Sequence, residues 1–206
     1  MEIMNQIERL KKIAKNKLSN NDPAHDFEHV MRVYRNAEKI CKTENGNKKL
    51  ILSAVLLHDI VKIKNRKDSA LKSAKLSEKL LKENYFLDDE IRIISNAIKE
   101  HSFSKGKLPS TNEGKILQDA DRLDAIGAIG LARVFSFSGS NSRPFYDPKD
   151  PFSKKRVVND NKWALDHFFE KLLLLEGKMN TKTGKILAKK RTKILKIFLK
   201  EIKNEI

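Results

Sequence analysis

The chain is poor in cysteine and in long apolar stretches, and each shortage excludes a class of protein. Its single cysteine, Cys41, cannot form a disulfide within the chain. No apolar run comes near the roughly 20 residues that cross a bilayer, and no pattern typical of a signal peptide follows Met1. We therefore expect a cytoplasmic protein without a membrane segment, in which Cys41 is a buried and unreactive thiol.

Aromatic residues are also scarce, while basic residues are in excess. Aromatics make up 7% of the chain, and 43 lysines and arginines outweigh 27 acidic residues to give a formal net charge of +16. Such a charge attracts polyanions, either phosphorylated metabolites or nucleic acid. No RNA- or DNA-recognition motif accompanies it, and lysine runs on helices are commonly solvated faces. The charge is therefore compatible with a nucleic-acid partner but does not establish one. The lysine-rich ends are likewise compatible with a homodimer.

Apolar residues recur at spacings of three and four along the chain, which predicts an all-α fold. No segment shows the sustained apolar–polar alternation of a β-strand. The length fits a single domain, a helical bundle of residues 1–206 with core helices over about 22–135 and C-terminal helices over about 160–205. Asp22 and Pro23 are typical of an N-cap and a first helical residue. The predicted helices cover about residues 3–18, 22–44, 48–59, 69–83, 88–101, 112–137, 161–176 and 182–203.

Two segments of this pattern are unusual. The long helix predicted over 112–137 contains Gly127 and Gly130, each of which costs about 1 kcal/mol relative to alanine. These glycines predict a backbone that is packed closely against a neighbour. The turn-rich segment around 138–160 is longer than a plain connection needs, so it is either a lid over a site or a disordered insertion. We expect phosphate ligands to order it as a lid.

The most informative feature is the doublet His58-Asp59, which directly follows the apolar run 51–57. An ionisable doublet beside buried residues is costly to desolvate unless something neutralises it. A divalent cation is the usual solution, since imidazole and carboxylate together suit hard-to-borderline metals. The doublet therefore predicts a metal site.

Two other segments offer the remaining ligands. His29 lies in the middle of the predicted second helix, with Arg32 one turn later on the same face. Asp121 lies in the long helix, and Asp124 follows it by one turn. Two imidazoles and two carboxylates leave positions open for water and substrate oxygens, as hydrolysis requires. Asp121 and Asp124 are alternatives for the last position.

Four segments of the sequence form an ordered set of motifs, and three shorter stretches continue it. The segments are 25–33, 56–60, 100–104 and 118–130, and the stretches are 145–148, 167–172 and 179–181. In this order they resemble the HD superfamily of metal-dependent phosphohydrolases, whose pattern is a histidine, a distant His-Asp doublet and a later aspartate. The resemblance is strongest to the branch that includes the YpgQ and YedJ proteins, and it spans nearly the whole chain.

The resemblance implies an all-helical fold that holds one divalent metal ion through four side chains. These are His29, His58, Asp59 and Asp121. Asp121 is favoured over Asp124 because the superfamily ligand sits in an Ala-Asp-Arg-Leu context, which here is 120–123. Mn²⁺ is the favoured ion, with Mg²⁺, Ni²⁺, Co²⁺, Fe²⁺ and Zn²⁺ as alternatives.

Substrate phosphates need cationic partners, and the attacking water needs a proton acceptor. The candidate substrate-binding residues are Arg32, Lys62, Lys64, Arg122, His101 and His25. The two histidines, taken alone, are typical of hydrogen-bonding or capping residues, and in this context they are expected to support the ligands or contact substrate. Some branches of the superfamily place a carboxylate pair soon after the doublet, but this chain has none at 61–64. Asp68 and Asp124 are the candidate proton acceptors.

The leading hypothesis is a metal-dependent phosphohydrolase that acts on a small phosphorylated molecule, with a nucleotide favoured. The resemblance implies cleavage of nucleoside triphosphates to a monophosphate and pyrophosphate by metal-activated water. The sequence does not distinguish this reaction from those of a monophosphatase or a cyclic-nucleotide hydrolase. The alternative is a non-catalytic nucleic-acid-binding or regulatory module that uses its basic surface, whose affinity falls steeply with salt and does not depend on the four ligands.

Overall fold

The structure is a computed structural model that describes residues 2–18, 26–61, 68–102 and 108–206. Every regular element in these ranges is a helix and none is a strand, so the predicted all-α fold is confirmed. None of the helices in this part of the chain combines the length and the apolar character needed to cross a bilayer. The chain forms two compact units, Met1–Asp121 and Arg122–Ile206. The single-domain interpretation of residues 1–206 stays a prediction.

The first unit contains five helices and most of a sixth, and the second contains the rest. The α-helices of the described residues are α1 (Glu2–Leu18), α2 (Phe27–Ile40), α3 (Lys48–Leu57), α4 (Ser69–Glu83), α5 (Asp88–Glu100), α6 (Asn112–Asp124), α7 (Gly127–Ser140), α8 (Asp166–Glu170) and α9 (Lys182–Glu205). Two short 3₁₀ helices, Leu172–Leu174 and Glu176–Lys178, lie between α8 and α9.

The third helix is the centre of the first unit. All residues of α3 from 50 to 57 are buried, because α1, α2, α4 and α5 all pack against it. A helix that is apolar on every face requires such surroundings. Its N-cap is Asn47, whose side chain accepts a hydrogen bond from the Leu50 amide at 3.3 Å. The doublet at its other end therefore emerges directly from the interior of the unit.

Four phenylalanine rings of the second unit pack against one another. The ring centroid of Phe135 lies 5.2 Å from that of Phe145 and 5.5 Å from that of Phe198. The fully buried Phe168 stacks on Phe198 at 5.7 Å. Pairs at these separations contribute about 0.5–1.5 kcal/mol beyond the burial of their area. The chain's single tryptophan, Trp163, belongs to the same unit.

The prediction of one long helix over residues 112–137 is wrong. The structure has two helices there, α6 and α7, separated by Ala125 and Ile126. Gly127, the first residue of α7, has a φ of +81°, a conformation that favours glycine. A Cβ on Gly130 would lie 2.1 Å from the Ala125 carbonyl oxygen. The two glycines thus permit a sharp break. The close neighbour of Gly130 is the chain's own preceding turn, and that of Gly127 is the Arg191 side chain, 3.2 Å from where a Cβ would lie.

Two other helix boundaries differ from the prediction. The second helix begins at Phe27 with Asp26 as its N-cap, while Asp22 and Pro23 lie outside the described residues. The helix predicted over 161–176 is reduced to the short α8 followed by 3₁₀ turns. Its predicted first turn is not helical because the amides of residues 164 and 165 bond to the carbonyls of residues 144 and 145 instead.

The predicted turn-rich segment joins α7 to α8 and is held by one buried carboxylate, that of Asp166. This carboxylate accepts hydrogen bonds from two Arg156 nitrogens (2.6 and 2.8 Å), from the Asn159 amide (2.6 Å) and from the Ser153 hydroxyl (3.0 Å). Burial alone would raise the pKa of Asp166, but these hydrogen bonds outweigh it and hold the pKa below its ordinary value. The lid role of the segment stays a prediction.

The single thiol, Cys41, is half-buried just after α2. Burial raises its pKa to about 11. Because the thiolate is the reactive form, little of it exists at neutral pH. This agrees with the prediction of an unreactive cysteine, but the thiol is only half-buried and not buried as predicted.

Replacing Gly130 with alanine is expected to destabilise the protein, because the new Cβ would overlap the Ala125 carbonyl oxygen. Overpacking of this kind costs about 1–3 kcal/mol. Urea unfolding followed by circular dichroism measures the change in the free energy of unfolding. Gly139 is the matched control, since it lies in the same helix and an added Cβ there meets nothing within 4 Å. Gly139→Ala should leave the free energy of unfolding unchanged or raise it by up to about 1 kcal/mol. If G130A is as stable as the natural protein, the close approach of Gly130 to the Ala125 carbonyl is contradicted.

Replacing Asp166 with asparagine is expected to loosen the segment between α7 and α8, because an amide cannot neutralise Arg156. Each hydrogen bond to a charged group that is lost costs about 1.5–3 kcal/mol. Limited trypsin digestion at neutral pH should cut this segment faster in D166N than in the natural protein.

The contribution of Asp166 to the stability of the fold depends on pH. Because the pKa of Asp166 is lowered, this contribution is fully present above the ordinary aspartate value of about 3.9 and is lost as the pH falls through the lower folded value.

The control for this prediction is Asp89→Asn. Asp89 forms an exposed pair with Arg92 at 3.0 Å, and exposed pairs contribute little to stability. D89N should therefore resist trypsin like the natural protein. Identical digestion of D166N and D89N would show that the buried carboxylate does not hold the segment.

Candidate metal centre

His58, the first residue of the doublet, lies at the buried end of α3 and is the C-cap of this helix. The Nδ1–H of His58 donates to the Val55 carbonyl at 2.7 Å, which fixes the ring and leaves the lone pair on Nε2. This Nε2 is buried and has no hydrogen-bond partner among the described residues. Burial also lowers the pKa of His58 and so favours the neutral imidazole, which is the form that binds a metal.

His29 reaches the same point from α2. Its backbone amide donates to the side chain of Asp26 at 2.8 Å, so the N-cap of the helix fixes the position of His29 in the first turn, not in the middle of the helix as predicted. Its Nε2 lies 3.6 Å from an Asp121 carboxylate oxygen and 3.9 Å from an Asp59 oxygen. Its side chain is buried, with 2% exposed.

Two carboxylates complete the cluster. His58 Nε2 lies 3.7 Å from an oxygen of Asp59 and 4.0 Å from an oxygen of Asp121. Burial alone would raise the pKa of Asp121, but the neighbouring imidazoles, His58 foremost, lower it below its ordinary value. The carboxylate of Asp121 is therefore ionised at neutral pH.

The donor set fits a divalent metal ion. Ligands about 2.1 Å from one ion in tetrahedral geometry lie about 3.4 Å apart, and the four donor pairs above are only slightly wider. His29, His58 and Asp121 place one ligand atom each within 4.8 Å of the others. The buried, oriented Nε2 of His58 is costly to leave without a partner, and a cation would satisfy it. The four residues implied by the HD resemblance are thus brought together.

His101 joins this cluster as well. It is the C-cap of α5, and its Nδ1–H donates to the Ile98 carbonyl at 2.5 Å, which turns Nε2 toward the carboxylates. That Nε2 lies 3.9 Å from an oxygen of Asp59. His58, Asp59 and His101 form a second group that could hold a metal ion. The sequence predicted a capping or substrate-contacting histidine, and the structure shows the cap together with a place beside the ligands.

Neither candidate proton acceptor is part of these metal-binding groups. Asp68 occupies the N-cap position of α4, but its exposed side chain makes no capping hydrogen bond. Asp124 is buried and accepts a hydrogen bond from Arg133 at 2.9 Å. Of the two candidates, only Asp68 has a carboxylate without an ion pair or a capping hydrogen bond among the described residues.

The candidate substrate-binding residues are only partly described. Arg32 is half-buried on α2, one turn after His29. The guanidinium of Arg122 donates to the Lys178 carbonyl within the second unit. His25, Lys62 and Lys64 lie outside the described residues.

Sequence reasoning did not identify Asn36, a buried residue that positions the site. Its amide nitrogen donates to the Ala120 carbonyl at 3.0 Å and ties α2 to the turn of α6 that carries Asp121. A weak signal was present, since Asn36 lies among the apolar residues of the buried face of α2. A polar side chain on such a face needs a hydrogen-bond partner.

Comparison with known proteins places this geometry in a family. Residues 26–126 match the HD domain family model. The chain is 31% identical to the YpgQ protein of Bacillus subtilis over 209 residues, which cover 100% of this chain and 96% of that protein. The crystal structure of Bacillus subtilis YpgQ in complex with ADP has a TM-score of 0.81 and 30% identity, and covers 100% of this chain and 97% of that chain.

An HD-superfamily hydrolase from Bacillus thuringiensis is similar to the same extent. Its crystal structure has a TM-score of 0.78 and 32% identity, and covers 98% of this chain and 97% of that chain. These similarities extend over the whole chain and not only over the matched domain. The chain therefore belongs to the HD domain family, the superfamily of metal-dependent phosphohydrolases that its sequence resembles.

Proposed function

We propose that this protein hydrolyses nucleotides and cleaves nucleoside triphosphates to a monophosphate and pyrophosphate. One observation carries the proposal: His29 on α2, His58 and Asp59 at the end of α3, and Asp121 on α6 converge, with four imidazole-to-carboxylate distances of 3.6–4.0 Å. The nucleotide substrate is supported by the ADP complex of YpgQ, whose fold matches this chain along its length.

The chemistry divides between a metal ion and the chain's own groups. A divalent cation bound by these four residues would lower the pKa of water and polarise a phosphoryl oxygen. The protein contributes fixed ligands, because the Val55 carbonyl holds the ring of His58 and the Asp26 cap holds His29. Ligands held in this way need little reorganisation during the reaction, which is the main source of electrostatic catalysis.

Positive charge for the substrate phosphates comes from Arg32 in this proposal. It follows His29 by one turn of α2, and guanidinium groups bind phosphate oxygens through two parallel hydrogen bonds. Lys62, Lys64 and His25 stay candidates for the same task. His101 is proposed to contact the substrate or to support Asp59. Arg122 is the weaker candidate, since its guanidinium already donates to a backbone carbonyl.

We propose Asp68 as the group that accepts the proton of the attacking water. Its exposed carboxylate makes no capping hydrogen bond. Asp124 is the second candidate, but its hydrogen bond with Arg133 would have to be exchanged or shared first.

Metal binding is the first test of the proposal. Isothermal titration calorimetry with Mn²⁺ is expected to show one ion per chain. His58→Gln and Asp121→Asn should each weaken binding by at least about 100-fold, because each removes a ligand. Asp89→Asn is the matched control, since it removes an exposed carboxylate far along the chain from the cluster, and it should bind like the natural protein. Unchanged affinity in both ligand variants would remove the metal centre from the proposal.

Hydrolysis is the second test. With Mn²⁺ present, a panel of nucleoside triphosphates should yield pyrophosphate, measured by an enzyme-coupled assay with a parallel assay for inorganic phosphate. EDTA and the Asp121→Asn substitution should each abolish the reaction. Asp68→Asn should keep the affinity for Mn²⁺ while lowering kcat by about 10²–10⁴-fold, as the loss of a proton acceptor does.

Three results would revise the proposal in different ways. Metal binding without nucleotide cleavage would refute the nucleotide substrate and leave the metal centre intact. A full kcat in D68N would exclude Asp68 as the proton acceptor. Binding to RNA or DNA that falls steeply with salt and persists in D121N, without hydrolysis, would favour the nucleic-acid-binding module.

A further inference from the structure

A buried glutamine on α6 is bonded to the helix end that carries His101. Gln118 is 1% exposed, and its Nε2 donates to the carbonyls of His101 and Glu100 at 3.2 and 3.4 Å. These carbonyls belong to the last turn of α5, where a helix leaves its carbonyl oxygens without intrahelical partners. The side chain of Gln118 therefore supplies hydrogen bonds that the end of α5 needs.

Gln118 also lies one turn before a predicted metal ligand. It precedes Asp121 by three residues, so the two side chains lie on the same face of α6. A second buried amide holds the same stretch of the helix, because Asn36 donates to the Ala120 carbonyl at 3.0 Å. Two amides thus fasten the turn that carries Asp121, one to α2, which carries His29, and one to the end of α5.

The hydrogen bond from Gln118 acts on the backbone that fixes the ring of His101. The Nδ1–H of His101 donates to the Ile98 carbonyl within the last turn of α5, so the ring follows the end of this helix. Its Nε2 lies 3.9 Å from Oδ1 of Asp59, and its ring stands edge-on to that of His58 with the centroids 5.1 Å apart. The place of this imidazole therefore depends on how the end of α5 is held.

The two carboxylate oxygens of Asp59 face different groups. Its Oδ2 lies 3.7 Å from Nε2 of His58 and 3.9 Å from Nε2 of His29. Its Oδ1 is the oxygen that lies beside His101. One oxygen thus faces the imidazoles of the proposed metal centre, and the other faces the imidazole held by α5. Outer groups of this kind orient ligating carboxylates and tune metal centres.

We propose that Gln118 is a positioning residue of this centre and acts through His101. Its amide holds the end of α5 against α6 and so keeps the imidazole of His101 beside the second oxygen of Asp59. Loss of the amide displaces His101 in the resting protein and lowers kcat during hydrolysis. The effect on rate rests on the proposed function, whereas the position of His101 does not.

Gln6 on α1 provides a matched control. Its Nε2 donates to the carbonyls of Asn84 and Tyr85 at 2.9 and 3.0 Å, just after the last residue of α4. Gln6→Met and Gln118→Met therefore each remove two hydrogen bonds to a helix end, and methionine is unbranched like glutamine. The end of α4 carries none of the residues of the proposed metal centre, so only Q118M should affect that centre.

The first measurement is the ¹H–¹³C spectrum of the imidazole Cε1 groups of the full chain in EDTA. The chain has five histidines, and His101→Ala assigns the relevant signal. This signal should move in Q118M, because the ring of His101 changes its position relative to that of His58, and it should stay in place in Q6M. Circular dichroism verifies that each variant is folded, and Gln118→Leu, which also lacks the amide, is the second variant.

The second measurement is kcat for a nucleoside triphosphate at saturating Mn²⁺ and nucleotide. Q118M should lower kcat by about 10–100-fold, and Q6M should equal the natural protein. In a chain that already carries His101→Ala, Q118M should lower kcat no further, because both changes act on the same group. A substitution that only destabilises the fold would lower kcat in both backgrounds.

Two results would overturn the proposal. The first is a His101 signal that is the same in Q118M, Q118L and the natural protein. The second is an equal fall in kcat when Q118M is introduced into the natural protein and into H101A. A displaced His101 signal in Q118M, together with no hydrolysis by the natural protein, would refute the proposed function while supporting the role of Gln118 in positioning His101.

Discussion

The hydrogen bond from the imidazole of His58 to the Val55 carbonyl is the constraint on which the candidate metal centre depends. It joins the ring to the last turn of a helix that is buried on all sides, so the ring cannot turn away without losing this hydrogen bond in the interior of the first unit. The same bond decides which nitrogen carries the proton and therefore which one faces the two carboxylates. One hydrogen bond thus fixes both the orientation of the ring and the nitrogen that is able to bind a metal ion.

The residues that the structure brings together could be named from the sequence because each predicted ligand leaves a local trace. A polar doublet after a fully apolar run is visible without any structure, and the HD motifs supplied His29 and Asp121. The supporting groups leave no such trace. The hydrogen bond from Asn36 to the Ala120 carbonyl joins residues that are 84 positions apart. The sequence around His101 indicates only a helix cap, because its place beside the doublet depends on the packing of α5 against α3.

The helix prediction failed where local preference competed with tertiary contacts. Periodicity runs unbroken through Gly127, yet the positive φ there and the tight approach at Gly130 separate two helices. Similarly, the amphipathic pattern over 161–176 does not form one helix. The amides of residues 164 and 165 bond to carbonyls of the preceding loop, and the carboxylate of Asp166 accepts hydrogen bonds from the same loop. Apolar spacing records which residues are buried, but it does not record where the chain changes direction.

The position of Trp163 makes the second unit optically distinct. It is the only indole in the chain, so ultraviolet emission excited near 295 nm originates from residues 122–206 alone, whereas far-ultraviolet ellipticity sums over helices of both units. Overlaying the two melting curves therefore reveals whether the halves melt as one cooperative body or in separate steps. A single aromatic side chain thereby turns the question of domain number into a comparison of two spectra.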